Sequence, residues 1–164
     1  MCGIAGLIHR GKSTNVGGEM KNMLQSLKHR GPDSTGYALY GDSGSDDYIL
    51  RFKVGENVKE GSTAVVEDDS VYQKRKKHVN SEITSTGAEI VEQKQITPYS
   101  FRYIIKTGDD LLELAKKIES VEMTEILSLG KSLELVKDIG DATDVAKQYG
   151  LSNFSGTHGI GHTR

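Results

Sequence analysis

The chain begins with MCGIAGLI at residues 1–8, and this stretch decides the expected fold. Residues 3–8 are small and apolar, which predicts a buried first strand. Cys2 stands directly before that strand and is the only cysteine of the chain. Removal of Met1 would therefore leave a thiol and a free α-amine on one residue at the start of a core strand.

An α-amine beside a thiol supplies a nucleophile and a base on a single residue. The unperturbed pKa of an α-amine is roughly 7.7 to 8.0, so near neutral pH part of it is neutral and can accept the thiol proton. A lone cysteine in a small apolar run is more often a buried small hydrophobe. The place of Cys2 after Met1, and before a glycine that leaves room against the backbone, favours the catalytic interpretation.

Two other segments carry candidate site residues. Arg164 ends the last predicted strand, where a guanidinium could hold a carboxylate by two parallel hydrogen bonds or could simply be solvated. Residues 30–34 (RGPDS) predict a rigid turn. Arg30 and Asp33 of that turn could brace a site, or the turn could only end the preceding helix.

The composition excludes several classes of protein. The 164 residues include 21 Lys+Arg and 23 Asp+Glu, for a formal net charge of −2, which argues against a dedicated nucleic-acid binder. One cysteine allows no internal disulfide and no Cys-rich zinc site. No apolar run approaches the roughly 20 residues of a membrane span, and no signal peptide is evident, so we expect a cytoplasmic protein that does not bind a membrane.

A histidine pair and a basic cluster are not predicted to be binding sites. His158 and His162 are four residues apart, but Gly159 and Gly161 disfavour the helix that such a zinc pair would need. The basic residues 74–78 lie on a predicted helix, where a solvated face is more common than a nucleic-acid patch.

The secondary-structure pattern predicts an α+β chain. A loop at residues 11–18 precedes a helix with the apolar stripe Met20, Met23, Leu24 and Leu27. Strands at 34–40 and 48–54 predict a hairpin across the polar turn 41–47. Residues 62–129 predict strand, helix, strand, strand, helix and strand, the first strand at 63–66 and the second helix capped by Asp109 or Asp110, with a buried stripe of Leu111, Ala115 and Ile118.

The remainder of the chain predicts three more elements. Residues 133–137 form a strand, and residues 141–149 form a short helix with Asp141 as N-cap. Residues 157–164 form a glycine-punctuated strand, whose backbone we expect to be closely approached by its neighbours.

Three ordered motifs, MCGIAG at 1–6, RGPDSTG at 30–36 and GIGHTR at 159–164, resemble the class II glutamine amidotransferases. Within that family the chain looks most like the amidotransferase domain of archaeal-type glutamate synthases. The resemblance implies an N-terminal-nucleophile hydrolase fold, a four-layer αββα sandwich. We assign residues 1–60 and 130–164 to that domain, and the element order of residues 61–129 predicts an inserted ferredoxin-like subdomain.

The resemblance also implies an activity. Cys2 would attack the side-chain amide of L-glutamine and form a thioester, and Arg164 would hold the α-carboxylate of glutamine. Arg30, Asp33 and His162 would support the site, with no cofactor and no metal. The ammonia would pass to a synthase subunit or domain, as a glutamate synthase would require.

One part of the family pattern lies outside the sequence. The family continues beyond the HTR motif with an Asn-Gly pair that builds the oxyanion hole and with an acidic residue that binds the substrate amine. We therefore expect an N-terminal fragment with an incomplete sandwich. Two other functions stay open: a non-catalytic interaction or regulatory module on the same scaffold, and a small-ligand sensor formed by residues 62–129.

Overall fold

The computed structural model describes residues 2–31, 33–42, 46–56, 67–108 and 110–164. In chain order its elements are β1 (Gly3–Ile8), α1 (Val16–Ser26), a 3-10 turn (Lys28–Arg30), β2 (Ser34–Gly41), β3 (Tyr48–Lys53), α2 (Asp69–Ser85), β4 (Glu89–Gln95), β5 (Ser100–Lys106), α3 (Leu111–Glu119), β6 (Glu125–Gly130), β7 (Leu133–Ile139), α4 (Ala142–Gln148), a 3-10 turn (Leu151–Asn153) and β8 (Gly156–Thr163). The chain is thus α+β, as the sequence predicts.

The elements form two compact units. The first unit combines Met1–Gly44 with Ser132–Arg164, and the second is Ser45–Lys131. The second unit therefore begins earlier than the boundary at residue 61 that the sequence suggests. Its first strand in the described residues is β3, and the strand expected at residues 63–66 lies outside those residues.

The first unit is a four-stranded antiparallel sheet with helices on one face. The strand order is β1-β8-β2-β7. On the helix-covered face, α1 packs on β8, where a Cβ added at Gly161 would lie 2.5 Å from Leu24 Cδ1. Helix α4 reaches the same face through Tyr37, whose hydroxyl donates to the Ala142 carbonyl at 2.5 Å. The prediction of a closely approached last strand is confirmed.

Helix α1 begins earlier than the sequence suggests. The Asn15 side chain accepts from the Gly18 amide at 2.9 Å and caps the helix, so Gly17 and Gly18 belong to its first turn and not to a loop. A Cβ at Gly17 would lie 2.7 Å from Phe154 Cβ, so the close packing at this position leaves room only for glycine. Met20 and Leu24 are fully buried as expected, whereas Met23 is 39% exposed at the edge of the stripe.

The opposite face of this sheet is exposed and apolar. Alternation along each strand directs every second side chain away from the helices. Ile4, Ile8 and Ile160 lie on that face and are 69%, 73% and 53% exposed. A sheet face that carries isoleucines at such exposure is typical of a surface that another layer covers.

The second unit has a different antiparallel sheet. Its strand order is β4-β5-β3-β6, and its elements follow one another as strand, helix, strand, strand, helix, strand. Because β3 lies in this sheet and β2 in the first, the predicted hairpin of residues 34–40 and 48–54 was wrong. Polar Gly/Ser/Asp residues mark a change of chain direction, but they do not determine which sheet the next strand joins.

Helix α3 also corrects the sequence interpretation. Asp110 caps it by accepting from the Leu112 amide at 2.8 Å, while Asp109 lies outside the described residues. The fully buried residues are Leu114 and Ile118. Leu111 and Ala115 are only partly buried, so the stripe is rotated towards Leu114. Among the described residues, no helix has the length and apolarity that crossing a membrane would require.

Candidate functional site

The first motif and the last motif lie on adjacent strands. Strand β1 pairs with β8 in the register Gly3 to Thr163 and Ile4 to His162. This register, continued by one residue, places Cys2 opposite Arg164. Both side chains then fall on the exposed face, since Ile4 and His162 share it. Cys2 is itself exposed.

The hydrogen bonds of Arg164 show what kind of pair this is. Arg164 exchanges both main-chain hydrogen bonds with Ser34, each at 2.9 Å, so its N–H and C=O groups face β2 rather than β1. Extended by one residue past Gly3 and Thr163, the β1–β8 register would therefore put Cys2 and Arg164 at a non-hydrogen-bonded position. At such positions the Cα atoms are about 4.5 Å apart and the side chains approach each other.

The second motif contacts Arg164 through the main chain. The Asp33 amide donates to the Arg164 carbonyl at 2.7 Å, beside the bond from Ser34. Gly31 packs directly on the same residue, because a Cβ added there would lie 2.5 Å from Arg164 Cα. The structure therefore brings the three motifs together at one end of the sheet.

A groove of about 420 Å³ extends from Arg164 along the exposed face. Its floor is formed by cross-strand rows, of which one runs Ile4, His162, Gly36 and Lys137 from β1 to β7. Gly36 leaves a notch in this row, and its nearest neighbour to an added Cβ is the Val136 carbonyl at 3.6 Å. The groove is mostly apolar, with Ile4, Ala38, Leu135 and Ile160, and its charged lining residues are Lys137 and Arg164.

Beneath the site, β2 is joined to the loop before α4. The Gly140 amide donates to the Asp33 carbonyl at 3.1 Å, and the Thr35 hydroxyl donates to the Gly140 carbonyl at 2.9 Å. Gly140 has φ +127°, a conformation that glycine adopts without strain. Asp141 follows and forms an ion pair with Lys28 at 2.7 Å.

The ion pair shifts the pKa values of both of its members. The hydrogen bond from Lys28, with the amides of the α4 N-terminus, lowers the pKa of Asp141. The hydrogen bond to Asp141 and its negative charge raise the pKa of Lys28. Burial raises the pKa of the Tyr37 hydroxyl, which stays protonated and keeps its bond to Ala142. All three groups therefore hold their bonding states near neutral pH.

The sequence-predicted site residues are placed as follows. Cys2 and Arg164 fall on neighbouring strands, and His162 is half-buried on the same face. Asp33 acts through its backbone amide and carbonyl, which bind Arg164 and Gly140. Arg30 is an exposed residue at the end of the 3-10 turn. Within the described ranges, no group of three or more His, Cys, Asp or Glu side chains is arranged to hold a metal ion.

Sequence reasoning missed four residues that contact or support the site. Gly31 and Ser34 stand inside the quoted motif, but a motif does not reveal which member packs on a distant strand. Lys28 and Asp141 are 113 positions apart, so no local pattern connects them. Only the N-cap signal of Asp141 was readable, and the structure confirms it.

The chain is similar along its whole length to proteins named for glutamine amidotransfer. It is 36% identical over 167 residues to a "Putative glutamine amidotransferase" of Methanothermobacter thermautotrophicus, covering 100% of this chain and 52% of that protein. It is 25% identical over 169 residues to "Glutamine amidotransferase-like protein GlxB" of Rhizobium meliloti, covering 100% of this chain and 50% of that protein. No protein-family model matches the chain.

These similarities support a relationship to glutamine amidotransferases. The chain spans about half the length of each of these two relatives. Both alignments include the whole of the first unit and the whole of the second.

Proposed function

We propose that this chain supplies the nucleophile half of a class II glutamine amidotransferase domain, which hydrolyses L-glutamine to glutamate and ammonia. The observation that carries this proposal is the strand register that places Cys2 opposite Arg164. A thiol and a guanidinium on adjacent strands can act on the two ends of one small amino acid. The similarity to proteins named for glutamine amidotransfer agrees with that substrate.

Arg164 binds the substrate carboxylate in this proposal. Its main chain is held by Ser34 and Asp33, which leaves the side chain directed to the exposed face of the sheet. A guanidinium can donate two parallel hydrogen bonds to a carboxylate. Glutamine held in this way extends its amide towards Cys2.

The chemistry begins once Met1 is removed. The free α-amine of Cys2 accepts the thiol proton, and the sulfur attacks the amide carbon to give a tetrahedral oxyanion. Collapse of that intermediate breaks the C–N bond, and the protonated α-amine returns its proton to the leaving nitrogen, which departs as ammonia. Water then attacks the thioester, which releases glutamate and restores the thiol.

The oxyanion hole requires donors beyond the residues described. Loss of one such donor costs about two to three orders of magnitude in rate. We assign these donors to the sequence that the relatives carry outside the aligned half. The same sequence would supply the second sheet of a four-layer sandwich and cover the face that exposes Ile4, Ile8 and Ile160.

The product ammonia would go to a separate acceptor. The groove of about 420 Å³ that leads away from Arg164 is mostly apolar. Such a surface would not bind ammonia strongly once the proposed second layer encloses it. We propose a synthase subunit or domain as the acceptor, and a glutamate synthase is the acceptor that the motifs favour.

Glutamine-dependent ammonia release by the protein from its complete gene tests the proposal. We expect glutamate and ammonia in equal amounts from wild type and none from Cys2→Ala. Cys2→Ser is the matched variant, since it replaces the thiol by a hydroxyl, a weaker nucleophile of similar size, and should turn glutamine over much more slowly than wild type. Absence of turnover in a protein whose mass shows Cys2 at its N-terminus would contradict the proposal and favour a non-catalytic module.

A further inference from the structure

The segment that contacts Arg164 is attached at both ends to one loop. Lys28, at the start of residues 28–33, bonds to Asp141 through its ammonium at 2.7 Å. Asp33, at the end of that segment, accepts the Gly140 amide through its carbonyl at 3.1 Å. Gly140 and Asp141 thus hold a segment whose middle contains Gly31, the residue that packs on Arg164.

The two carboxylate oxygens of Asp141 have separate partners. Oδ1 accepts from the Thr143 and Asp144 amides, both at 3.0 Å, and so caps α4. Oδ2 binds Lys28. The side chain of Asp141 is 15% exposed and that of Lys28 is 50% exposed. The cap and the ion pair are therefore distinct functions of one side chain, and a substitution can remove one while it keeps the other.

Further bonds fix the loop against β2. Thr35 donates to the Gly140 carbonyl at 2.9 Å, and Tyr37 donates to the Ala142 carbonyl at 2.5 Å. These bonds hold residues 140 and 142 without Lys28. The ion pair therefore adds one side-chain link between Lys28, which follows α1, and a loop that is already anchored to β2.

We propose that Lys28 and Asp141 are positioning residues for substrate binding. Their ion pair holds the segment 28–33, and the contacts of Gly31 and Asp33 in that segment set the position of Arg164. This inference rests on the proposed function, because it assigns the effect to recognition of the glutamine carboxylate. Neither residue touches the substrate. The ion pair sets the segment, Gly31 and Asp33 transmit its position, and Arg164 binds the carboxylate.

The test compares Lys28→Met and Asp141→Asn in the protein from its complete gene. Asparagine is as good an N-cap as aspartate, so Asp141→Asn keeps the start of α4. We expect each variant to raise the KM for L-glutamine by about two- to fivefold with little change in kcat, which is the range expected of one partly exposed ion pair. The double variant should be no worse than either single one. Lys12→Met, at an exposed lysine of the same unit, is the control and should leave KM unchanged.

A substrate without the carboxylate separates positioning from general destabilisation. L-Glutamine α-amide offers Arg164 no carboxylate, so wild type, Lys28→Met and Asp141→Asn should turn it over with the same KM. An unchanged KM for L-glutamine in the variants, or an equal rise for the α-amide, would overturn the proposal.

A second readout keeps the inference testable if wild type proves inactive. Amide hydrogen exchange at Asp33 and Ser34 reports on the segment whether or not glutamine is turned over. Faster exchange at both amides in Asp141→Asn, but not in Lys12→Met, supports the positioning role of Lys28 and Asp141 even where the proposed function has failed. Unchanged exchange would overturn it.

Discussion

Gly31 lies against the backbone of Arg164. A Cβ added at residue 31 would stand 2.5 Å from Arg164 Cα and 2.6 Å from its nitrogen. Gly31 has extended backbone with φ −173°, which any residue can adopt, so the requirement is for space and not for an unusual conformation. Gly31 therefore sets the distance between the turn and Arg164, the residue that is the candidate for binding the substrate carboxylate.

Gly31→Ala should displace Arg164 and weaken glutamine binding. The added methyl meets main-chain atoms, which cannot move away as a flexible side chain can. We expect the KM for glutamine to rise at least tenfold, since misplacement by about 1 Å can cost a hundredfold. Steady-state kinetics would measure it. Gly130→Ala is the control, because an added Cβ there has no neighbour within 4 Å among the described residues; equal kinetics for both variants would contradict this role.

Arg164→Lys should keep the positive charge and lose the paired hydrogen bonds. Hydrogen bonds to charged groups contribute about 1.5 to 3 kcal/mol, so we expect the KM for glutamine to rise roughly ten- to a hundredfold. Arg10→Lys, at another exposed arginine of the same unit, should have no such effect. A normal KM in Arg164→Lys would mean that the carboxylate binds elsewhere.

Tyr37→Phe should destabilise the first unit. The Tyr37 hydroxyl is buried and is the donor to the Ala142 carbonyl. Its removal takes one hydrogen bond from that carbonyl, which typically costs about 0.5 to 1.5 kcal/mol. Urea unfolding would measure the loss. Tyr40→Phe on the same strand is the comparison, since Tyr40 stacks on His158 through its ring at 4.1 Å and should lose little.

The ion pair of Lys28 with Asp141 predicts a pH-dependent stability. Because the pKa of Asp141 is below its ordinary value of 3.8 in the folded protein, its ionised form stabilises the fold above pH 3.8. That contribution is lost as the pH falls through the lower folded-state pKa. We expect wild type to be more stable than Asp141→Asn at pH 7 and the difference to disappear in acid. Denaturant unfolding between pH 2 and pH 7 checks it, and a difference that grew in acid would contradict the sign.

The exposure of Ile160 predicts how its replacement by a charged residue changes stability. In the 164-residue chain Ile160 is 53% exposed, so Ile160→Asp should change stability by no more than about 0.5 kcal/mol. In a chain that carries the second sheet of the proposed sandwich, this position would be buried, and the unpaired charge should cost several kcal/mol. Gly161→Ala, on the helix-covered face, should destabilise both. Equal tolerance of Ile160→Asp in both lengths would argue against the four-layer sandwich.

Local pattern was sufficient for the elements that carry the site. The apolar residues 3–8 predicted the strand β1, although Ile4 and Ile8 are exposed and not buried as expected. The glycine-punctuated residues 157–164 predicted β8, and periodicity with buried Met20 and Leu24 predicted α1. The glycines of the last strand indicated close packing, which Leu24 against Gly161 confirms. Each of these predictions depends on short-range residue spacing, which the sequence displays directly.

Long-range pairing was beyond the reach of the sequence. The residues of the turn after β2 do not reveal that β2 pairs with β7 and β8, which follow about a hundred residues later. The ion pair of Lys28 with Asp141 likewise depends on how α1 and α4 lie on one sheet face. A strand order is fixed by burial of whole faces, which single motifs do not encode.

Labelling with the glutamine-mimicking electrophile 6-diazo-5-oxo-norleucine tests whether Cys2 and Arg164 belong to one glutamine site. Intact mass would be measured for wild type, Cys2→Ala and Gly31→Ala after removal of Met1. We expect one adduct per chain on Cys2 of wild type, no adduct on Cys2→Ala and slower labelling of Gly31→Ala. An adduct on another residue, or equal labelling of Cys2→Ala, would contradict the assignment of Cys2 and Arg164 to one glutamine site.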